Sequence, residues 1–136
     1  MASIYREFGI AVPADVAWRA IRDAGAVHER LARGFVVGTV LEGDERVVTF
    51  ANGFVARERI LAIDDEHRRL AYHVIDAGMT HHNASFQVIP ESPASARIVW
   101  VTDLLPDEMK EPIGQMVDQG VEAIRQTLVG AHAAAR

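Results

Sequence analysis

The chain has 136 residues, of which 49% are hydrophobic and 24% are charged, so we expect a single domain over residues 1–136 with one sizeable core. Its 14 basic and 19 acidic residues give a formal net charge of −5, which excludes the basic face that a nucleic-acid partner requires. The sequence contains no cysteine, which excludes disulfides and zinc–thiolate sites. No apolar run reaches the ~20 residues of a membrane span, and the N-terminus lacks a signal-peptide pattern, so we expect a cytoplasmic protein without membrane insertion.

The first part of the chain predicts one strand and two short helices. Residues 3–12 alternate between apolar and polar side chains, as a half-buried strand does. A helix is expected to begin at Pro13, with Asp15 available to accept hydrogen bonds from its free backbone N–H groups. A second short helix, over residues 27–33, is expected to end at Gly34.

The rest of the chain predicts six strands and one long helix. The strands cover residues 35–41, 46–51, 54–63, 69–75, 82–89 and 96–104. Asn52-Gly53 indicates a tight hairpin between the second and third of these, because both residues tolerate a positive φ. Apolar residues at steps of three and four from Met109 to Leu128 then predict a helix whose regular part begins near Pro112.

These elements predict an α+β domain with the order β-α-α-β6-α. Hairpin-linked strands form an antiparallel meander, and the first strand completes a curved sheet of seven strands. One face of that sheet must be buried, and the final helix is the only element long enough to cover it. Because a twisted sheet that grips one helix leaves space between the two, we expect an internal cavity.

Three segments carry a family resemblance: Pro13–Trp18, Glu58–Tyr72 and Arg97–Trp100. They resemble the START-like (SRPBCC) superfamily of polyketide cyclases, dehydrases and lipid-transport proteins, which includes the birch-pollen-allergen class and the abscisic-acid receptors. The resemblance extends over essentially the whole chain in the right order. It implies the helix-grip fold, which hosts carriers, receptors, cyclases and lyases.

The resemblance also implies that Trp100 faces the cavity, and the period of two along each strand then assigns the neighbouring residues to a face. The same alternation points Ala62 inward. The predicted ligand-binding residues on the strands are Glu58, Ile60, Tyr72, Val74, Asp76, His82, Ala84, Phe86, Trp100 and Thr102. Those on the long helix and its approach are Met109, Ile113, Met116, Val117 and Gly120.

Glu58, His82 and Tyr72 are the candidate catalytic residues. A carboxylate in an apolar cavity is costly to ionise, so Glu58 could act as a general acid or base; alternatively it bonds a side chain of a neighbouring strand or faces solvent. In the abscisic-acid receptors the matching glutamate meets polar ligand atoms through water. His82 could form a proton-shuttling pair with Glu58 or Asp76, or be a partly exposed histidine at a strand start. Tyr72 could donate its phenol proton to a carbonyl, or only pack.

The expected function is the binding of a hydrophobic small molecule, such as a polyketide, a lipid or an aromatic metabolite. The alternative is a cyclase or dehydratase that needs no cofactor, and a third reading is an interaction protein with an exposed apolar patch. We expect no metal, since adjacent His81 and His82 point to opposite faces of a strand and cannot share one ion. A homodimer through the outward-facing Val99 and Val101 is a further prediction.

Overall fold

Seven antiparallel strands form one sheet in the computed structural model, which describes residues 1–75 and 77–135. The strands are β1 Ala2–Ile10, β2 Val36–Glu42, β3 Glu45–Phe50, β4 Val55–Asp64, β5 Arg69–Ile75, β6 His81–Ser92 and β7 Ser95–Leu105. The helices are α1 Ala14–Arg22 and α2 Lys110–Ala134, and two short turns, one π-helical and one 3₁₀, span Val27–Leu31 and Asp107–Met109. Within the described ranges, no helix has the length and apolarity that crossing a membrane would require.

The sheet is an open meander with the first strand added at its β7 edge, in the order β1-β7-β6-β5-β4-β3-β2. Each strand from β2 to β7 pairs with the next one along the chain, and β1 pairs with β7 through register partners such as Ile4 and Thr102. This confirms the predicted α+β architecture.

Alternation along the strands separates a buried face from a half-exposed one. In β7, Ile98, Trp100, Thr102 and Leu104 are buried while the residues between them are half-buried, including Val99 and Val101. The long helix α2 covers the buried face and approaches so closely that Gly120 lies against the Trp100 ring. The core therefore lies between the sheet and α2, as an amphipathic helix on a one-sided sheet requires.

The inward placement of Ala62 is wrong, because β4 carries one extra residue. Ile60 pairs with Tyr72 and Ile63 with Leu70, so Leu61 and Ala62 together stand where a regular ladder has one residue. Such a bulge reverses the alternation beyond it, and Ala62 is exposed opposite Ala71.

Two expectations for the helical segments also need correction. Asp15 makes no capping hydrogen bond at the start of α1; instead it accepts one from Arg68 Nε at 3.0 Å. In place of the second predicted helix, the structure has only the π-helical turn Val27–Leu31. A hydrogen bond from the Ala32 N–H to the Val27 carbonyl closes that turn two residues before the predicted end.

Candidate functional site

Two adjoining chambers lie between the sheet and α2. The mouth chamber, about 70 Å³, is lined by Phe35, Phe50, Phe54, Ala56, Glu58, Tyr72, Val74, Ala77, Met79, His82, Trp100, Thr102, Ile113, Met116 and Val117. The deep chamber, about 50 Å³, is lined by Val27, Leu31, Ala32, Phe35, Val36, Arg46, Val48, Phe50, Glu58, Tyr72, Phe86, Trp100, Gly120 and Ile124. Every side chain around the deep chamber is buried or half-buried, whereas the mouth chamber reaches the surface at Phe54, which is 39% exposed.

Most of the predicted site residues line these chambers. Those that border both are Glu58, Tyr72 and Trp100. Those that border only the mouth chamber are Val74, His82, Thr102, Ile113, Met116 and Val117, and those that border only the deep chamber are Phe86 and Gly120. Ile60, Ala84 and Met109 line neither chamber, and Asp76 lies outside the described residues. Contact of any of them with a ligand stays a prediction.

The sequence analysis missed the aromatic residues around the mouth. Gly53 has φ +89°, and the hairpin that it allows joins the Phe50 N–H to the Phe54 carbonyl at 2.8 Å. The Phe50 ring lies 5.8 Å from that of Phe54 and 5.2 Å, edge-on, from that of Phe35. Phenylalanines flanking an Asn-Gly turn were the available signal, because a tight turn brings its flanking residues together.

Arg46, which was also missed, forms a buried ion pair with Glu58. The two residues are register partners on β3 and β4, and Arg46 Nε donates to Glu58 Oε1 at 2.8 Å. Their side chains are only 4% and 9% exposed. The expectation of a lone carboxylate in an apolar cavity is therefore corrected: Glu58 bonds a side chain of the neighbouring strand, and its charge is compensated.

An aromatic stack connects this pair to α2. Arg46 Cζ lies 5.2 Å from the Tyr72 ring centroid, Tyr72 stacks on Phe86 at 6.2 Å, and Phe86 stacks on Trp100 at 4.5 Å. Trp100 Nε1 donates to the Tyr72 hydroxyl at 3.3 Å. Burial and the nearby Glu58 carboxylate raise the pKa of Tyr72 far above its usual value, so the phenol keeps its proton at neutral pH.

His82 is a buried and neutral imidazole at the mouth chamber. It is 7% exposed, so the prediction of a partly exposed histidine is wrong. Burial, with a smaller contribution from His73 and His81, lowers the pKa of His82 to about 4. Its Nδ1 has no hydrogen-bond partner among the described residues, and no hydrogen bond joins it to Glu58. The site therefore has an imidazole with free hydrogen-bonding capacity, at a ring-centroid distance of 6.4 Å from Tyr72.

The side chains around the chambers restrict the chemistry. The only lysine of the chain, Lys110, is exposed at the start of α2. Among the described lining residues there is no serine or lysine, and Thr102 has the only aliphatic hydroxyl. The described residues likewise contain no cluster of three or more possible metal ligands. The arrangement suits apolar binding, hydrogen bonding and proton transfer.

Comparison with known proteins identifies similar chains. A family model described as polyketide cyclase / dehydrase and lipid transport matches residues 1–135. The search of curated proteins finds no significant match. Among solved structures, XoxI from Bacillus cereus is 18% identical with a TM-score of 0.85, and the alignment covers 97% of this chain and 99% of that one.

Two further solved structures have the same fold. A point mutant of norcoclaurine synthase from Thalictrum flavum, in complex with a transition-state analogue, is 23% identical with a TM-score of 0.74 and 96% coverage of both chains. A START superfamily protein from Mycobacterium smegmatis is 12% identical with a TM-score of 0.73, covering 98% of this chain and 99% of that one. At these identities the likeness concerns the fold, and it confirms the START-like helix-grip architecture.

Proposed function

This chain belongs to the polyketide cyclase/dehydrase and lipid transport family, and we propose that it binds a hydrophobic small molecule in the chambers beneath α2. The observation that carries the proposal is the composition of the mouth chamber. Its lining is mostly aromatic and aliphatic, with a few polar groups from Glu58, Tyr72, His82 and Thr102. A concave apolar site with a few convergent polar groups is the usual form of a small-molecule site.

The chamber volumes favour a compact ligand. Pockets for drug-sized molecules measure roughly 300–1,000 Å³, whereas these chambers measure about 70 and 50 Å³. A ligand of about the size of a single aromatic ring would require the least rearrangement of the lining side chains. A longer polyketide or a lipid requires Phe54, Met79 and Met116 to move aside, and the flexible methionine side chains are suited to that.

A blocked variant tests the proposal. Val117→Phe places a ring in the mouth chamber, whereas Val121→Phe changes the same helix at a half-buried residue that lines neither chamber. We expect native mass spectrometry of the protein from its own source to show a hydrophobic adduct. The identified compound should raise the melting temperature of the parent and of Val121→Phe, because it binds only the folded state. The same stabilisation of Val117→Phe, or no stabilisation of the parent, would contradict binding in the chamber.

Catalysis is the second candidate, and His82 is the observation that favours it. The imidazole is neutral at pH 7, and its lowered pKa makes it a weak base. It can take a proton from the carbon next to a ligand carbonyl if the Tyr72 hydroxyl stabilises the developing enolate oxygen by donating a hydrogen bond. The proton then returns to carbon or protonates a leaving hydroxyl, so the step needs no oxidant and no cofactor. The carboxylate of Glu58 is less suited to this role, because Arg46 already holds it.

Isotope exchange separates catalysis from binding. Acetophenone in deuterium oxide exchanges its methyl protons only if a base removes them, and NMR follows that loss of signal. We expect His82→Gln to abolish protein-dependent exchange while its affinity for acetophenone stays within a few-fold of the parent. Binding without exchange by the parent would leave the carrier function and remove the enzymatic one.

A further inference from the structure

We propose that the Arg46–Glu58 pair is a recognition element of the deep chamber, which selects uncharged ligands that carry a hydrogen-bond acceptor beside a hydrogen-bond donor. This inference rests on the proposed binding function and specifies the ligand's buried end. It is carried by the hydrogen-bonding capacity that the pair leaves unused, by its zero net charge and by its place at the junction of the chambers.

Both partners have unused hydrogen-bonding capacity. A guanidinium has five N–H donors, and the structure accounts for Nε, which donates to Glu58, and for one Nη1 contact to the Ala24 carbonyl at 3.4 Å. Glu58 accepts through Oε1, and no hydrogen bond reaches its Oε2 among the described residues. Buried charged groups are normally hydrogen-bonded in full, so unused donors and an unused acceptor beside a cavity indicate a polar group that completes them.

Tyr72 adds a donor to the same place. Its hydroxyl accepts the Trp100 Nε1–H bond at 3.3 Å, while its own O–H proton has no acceptor among the described residues. Glu58 and Tyr72 border both chambers, and Arg46 borders the deep one. A ligand that reaches the junction therefore meets N–H and O–H donors together with one carboxylate oxygen.

The charge of the pair determines which ligands are excluded. Arg46 and Glu58 cancel each other, and the rest of the deep-chamber lining is uncharged. An anionic or cationic ligand could bond to Arg46 or Glu58, but it would leave the chamber with a net buried charge, which is strongly unfavourable. A neutral amide, or a hydroxyl next to a carbonyl, supplies the acceptor and the donor without adding charge.

The Arg46–Glu58 pair is buried, whereas the other ion pairs between the same two strands are on the outer face. The same two strands have two further ion pairs on the outer face, where Arg57 and Arg59 each donate to Glu45 at 2.9 Å and are about half exposed. Opposite charges on the outer face thus already support the pairing of β3 with β4, and their desolvation cost there is small because the side chains remain in contact with water. An apolar pair at positions 46 and 58 would pack the core at lower desolvation cost. Packing stability therefore does not account for the buried charges, whereas recognition of a ligand at the junction of the chambers does.

Three probes of one shape test the inference: benzamide, ethylbenzene and benzoate. We expect benzamide to bind the parent at least about tenfold more tightly than ethylbenzene or benzoate, as loss of a hydrogen bond to a charged group implies. Dissociation constants come from ligand-observed NMR at pH 7. The double variant Arg46→Met/Glu58→Leu should lose the preference, and the matched outer-face variant Arg59→Met/Glu45→Leu should keep it.

The outcomes separate this inference from the proposed function. Equal affinities of benzamide and ethylbenzene for the parent would overturn the recognition role and leave an apolar binding site. Binding of the fluorescent naphthalene probe 1-N-phenylnaphthylamine without any binding of benzamide would do the same. If neither benzamide, ethylbenzene nor the fluorescent probe binds, both proposals fail. A benzamide preference that survives in Arg46→Met/Glu58→Leu would show that other groups select the ligand.

Discussion

Gly120 is the position where a single methyl group should disturb the site most. A Cβ there would lie 2.9 Å from Trp100 Cη2 and Cζ3, and 3.2 Å from Phe35 Cε2. Carbon atoms in contact prefer about 3.5–4.0 Å, so Gly120→Ala requires the indole to move. The indole has little room, because it stacks on Phe86 at 4.5 Å and donates to Tyr72.

Two opposite effects set the magnitude of this change. Forcing a methyl group into a well-packed core costs about 1–3 kcal/mol, while replacing glycine by alanine inside a helix stabilises it by about 1 kcal/mol. Gly130 separates the two effects, because it lies in the same helix and nothing comes within 4 Å of a Cβ built there. Gly130→Ala should therefore show the helix gain alone, and the two variants should differ by about 1–3 kcal/mol.

Urea unfolding followed by circular dichroism measures both variants. We expect Gly120→Ala to have the lower midpoint and a changed near-ultraviolet signal from Trp100, with weaker binding in the chambers. Gly130→Ala should keep the parent's near-ultraviolet spectrum and its ligand affinity. If Gly120→Ala proves as stable as Gly130→Ala, then α2 and Trp100 are not packed as tightly as the distances indicate, and the reasoning is refuted.

Three further predictions concern the polar residues of the site. Glu58→Gln should cost about 3–5 kcal/mol by leaving Arg46 unpaired, whereas Arg46→Met/Glu58→Leu should recover most of that loss; equal losses in urea unfolding would contradict this. Because the pKa of His82 is about 4 in the folded protein and about 6.5 in the unfolded chain, the unfolded chain is protonated first as the pH falls. Stability should therefore drop by up to about 3 kcal/mol between pH 6.5 and pH 4, and His82→Gln should lack that component of the drop. Tyr72→Phe should cost about 1–2 kcal/mol by depriving Trp100 Nε1 of its acceptor, and an unchanged urea midpoint would show that this bond contributes nothing.

The fold could be predicted from local sequence patterns because most of its strands and helices are determined by residues that are close together in the chain. The Asn-Gly turn, the alternation in β6 and β7 and the stripe of α2 all appear where they were expected. The end of β6 is an exception: the strand was predicted to end at residue 89, before Pro90, yet it continues to Ser92. At Pro90 the strand pairs only with Ala96 of β7, because the pairing with β5 ends at Gln87. The missing N–H therefore breaks no ladder on the β5 side.

The site was less predictable, because it depends on which residues meet across strands. The family resemblance placed Trp100 at the cavity, and alternation along the strands then placed Glu58 and Tyr72 there. Neither gave a partner for the carboxylate, since a partner follows only from the register of β3 against β4. The bulge in β4 that exposes Ala62 has no signature in the local residue pattern. The burial of His82 depends on the elements packed around it and not on its own strand.

The register of β3 against β4 links the Arg46–Glu58 ion pair to the shape of the mouth chamber. In the observed register, Glu45 faces Arg59 and Arg46 faces Glu58. A slip of one residue in one direction would set Arg46 against Arg59, and a slip in the other would set Glu45 against Glu58. Like charges directly opposite each other destabilise a sheet, so both pairs disfavour the slipped registers that would move Phe50 away from the chambers.

This dependence explains why the double variant is the right test of recognition. Removing Arg46 and Glu58 together leaves the outer pair of Glu45 and Arg59, which still holds the register by opposing charges. A slip would also turn every inward side chain of β3 to the outer face, including Val48, which is 2% exposed. The hairpin and its aromatic residues should therefore stay in place when the inner charges are lost. Any change in ligand preference can then be assigned to the removed charges and not to a displaced strand.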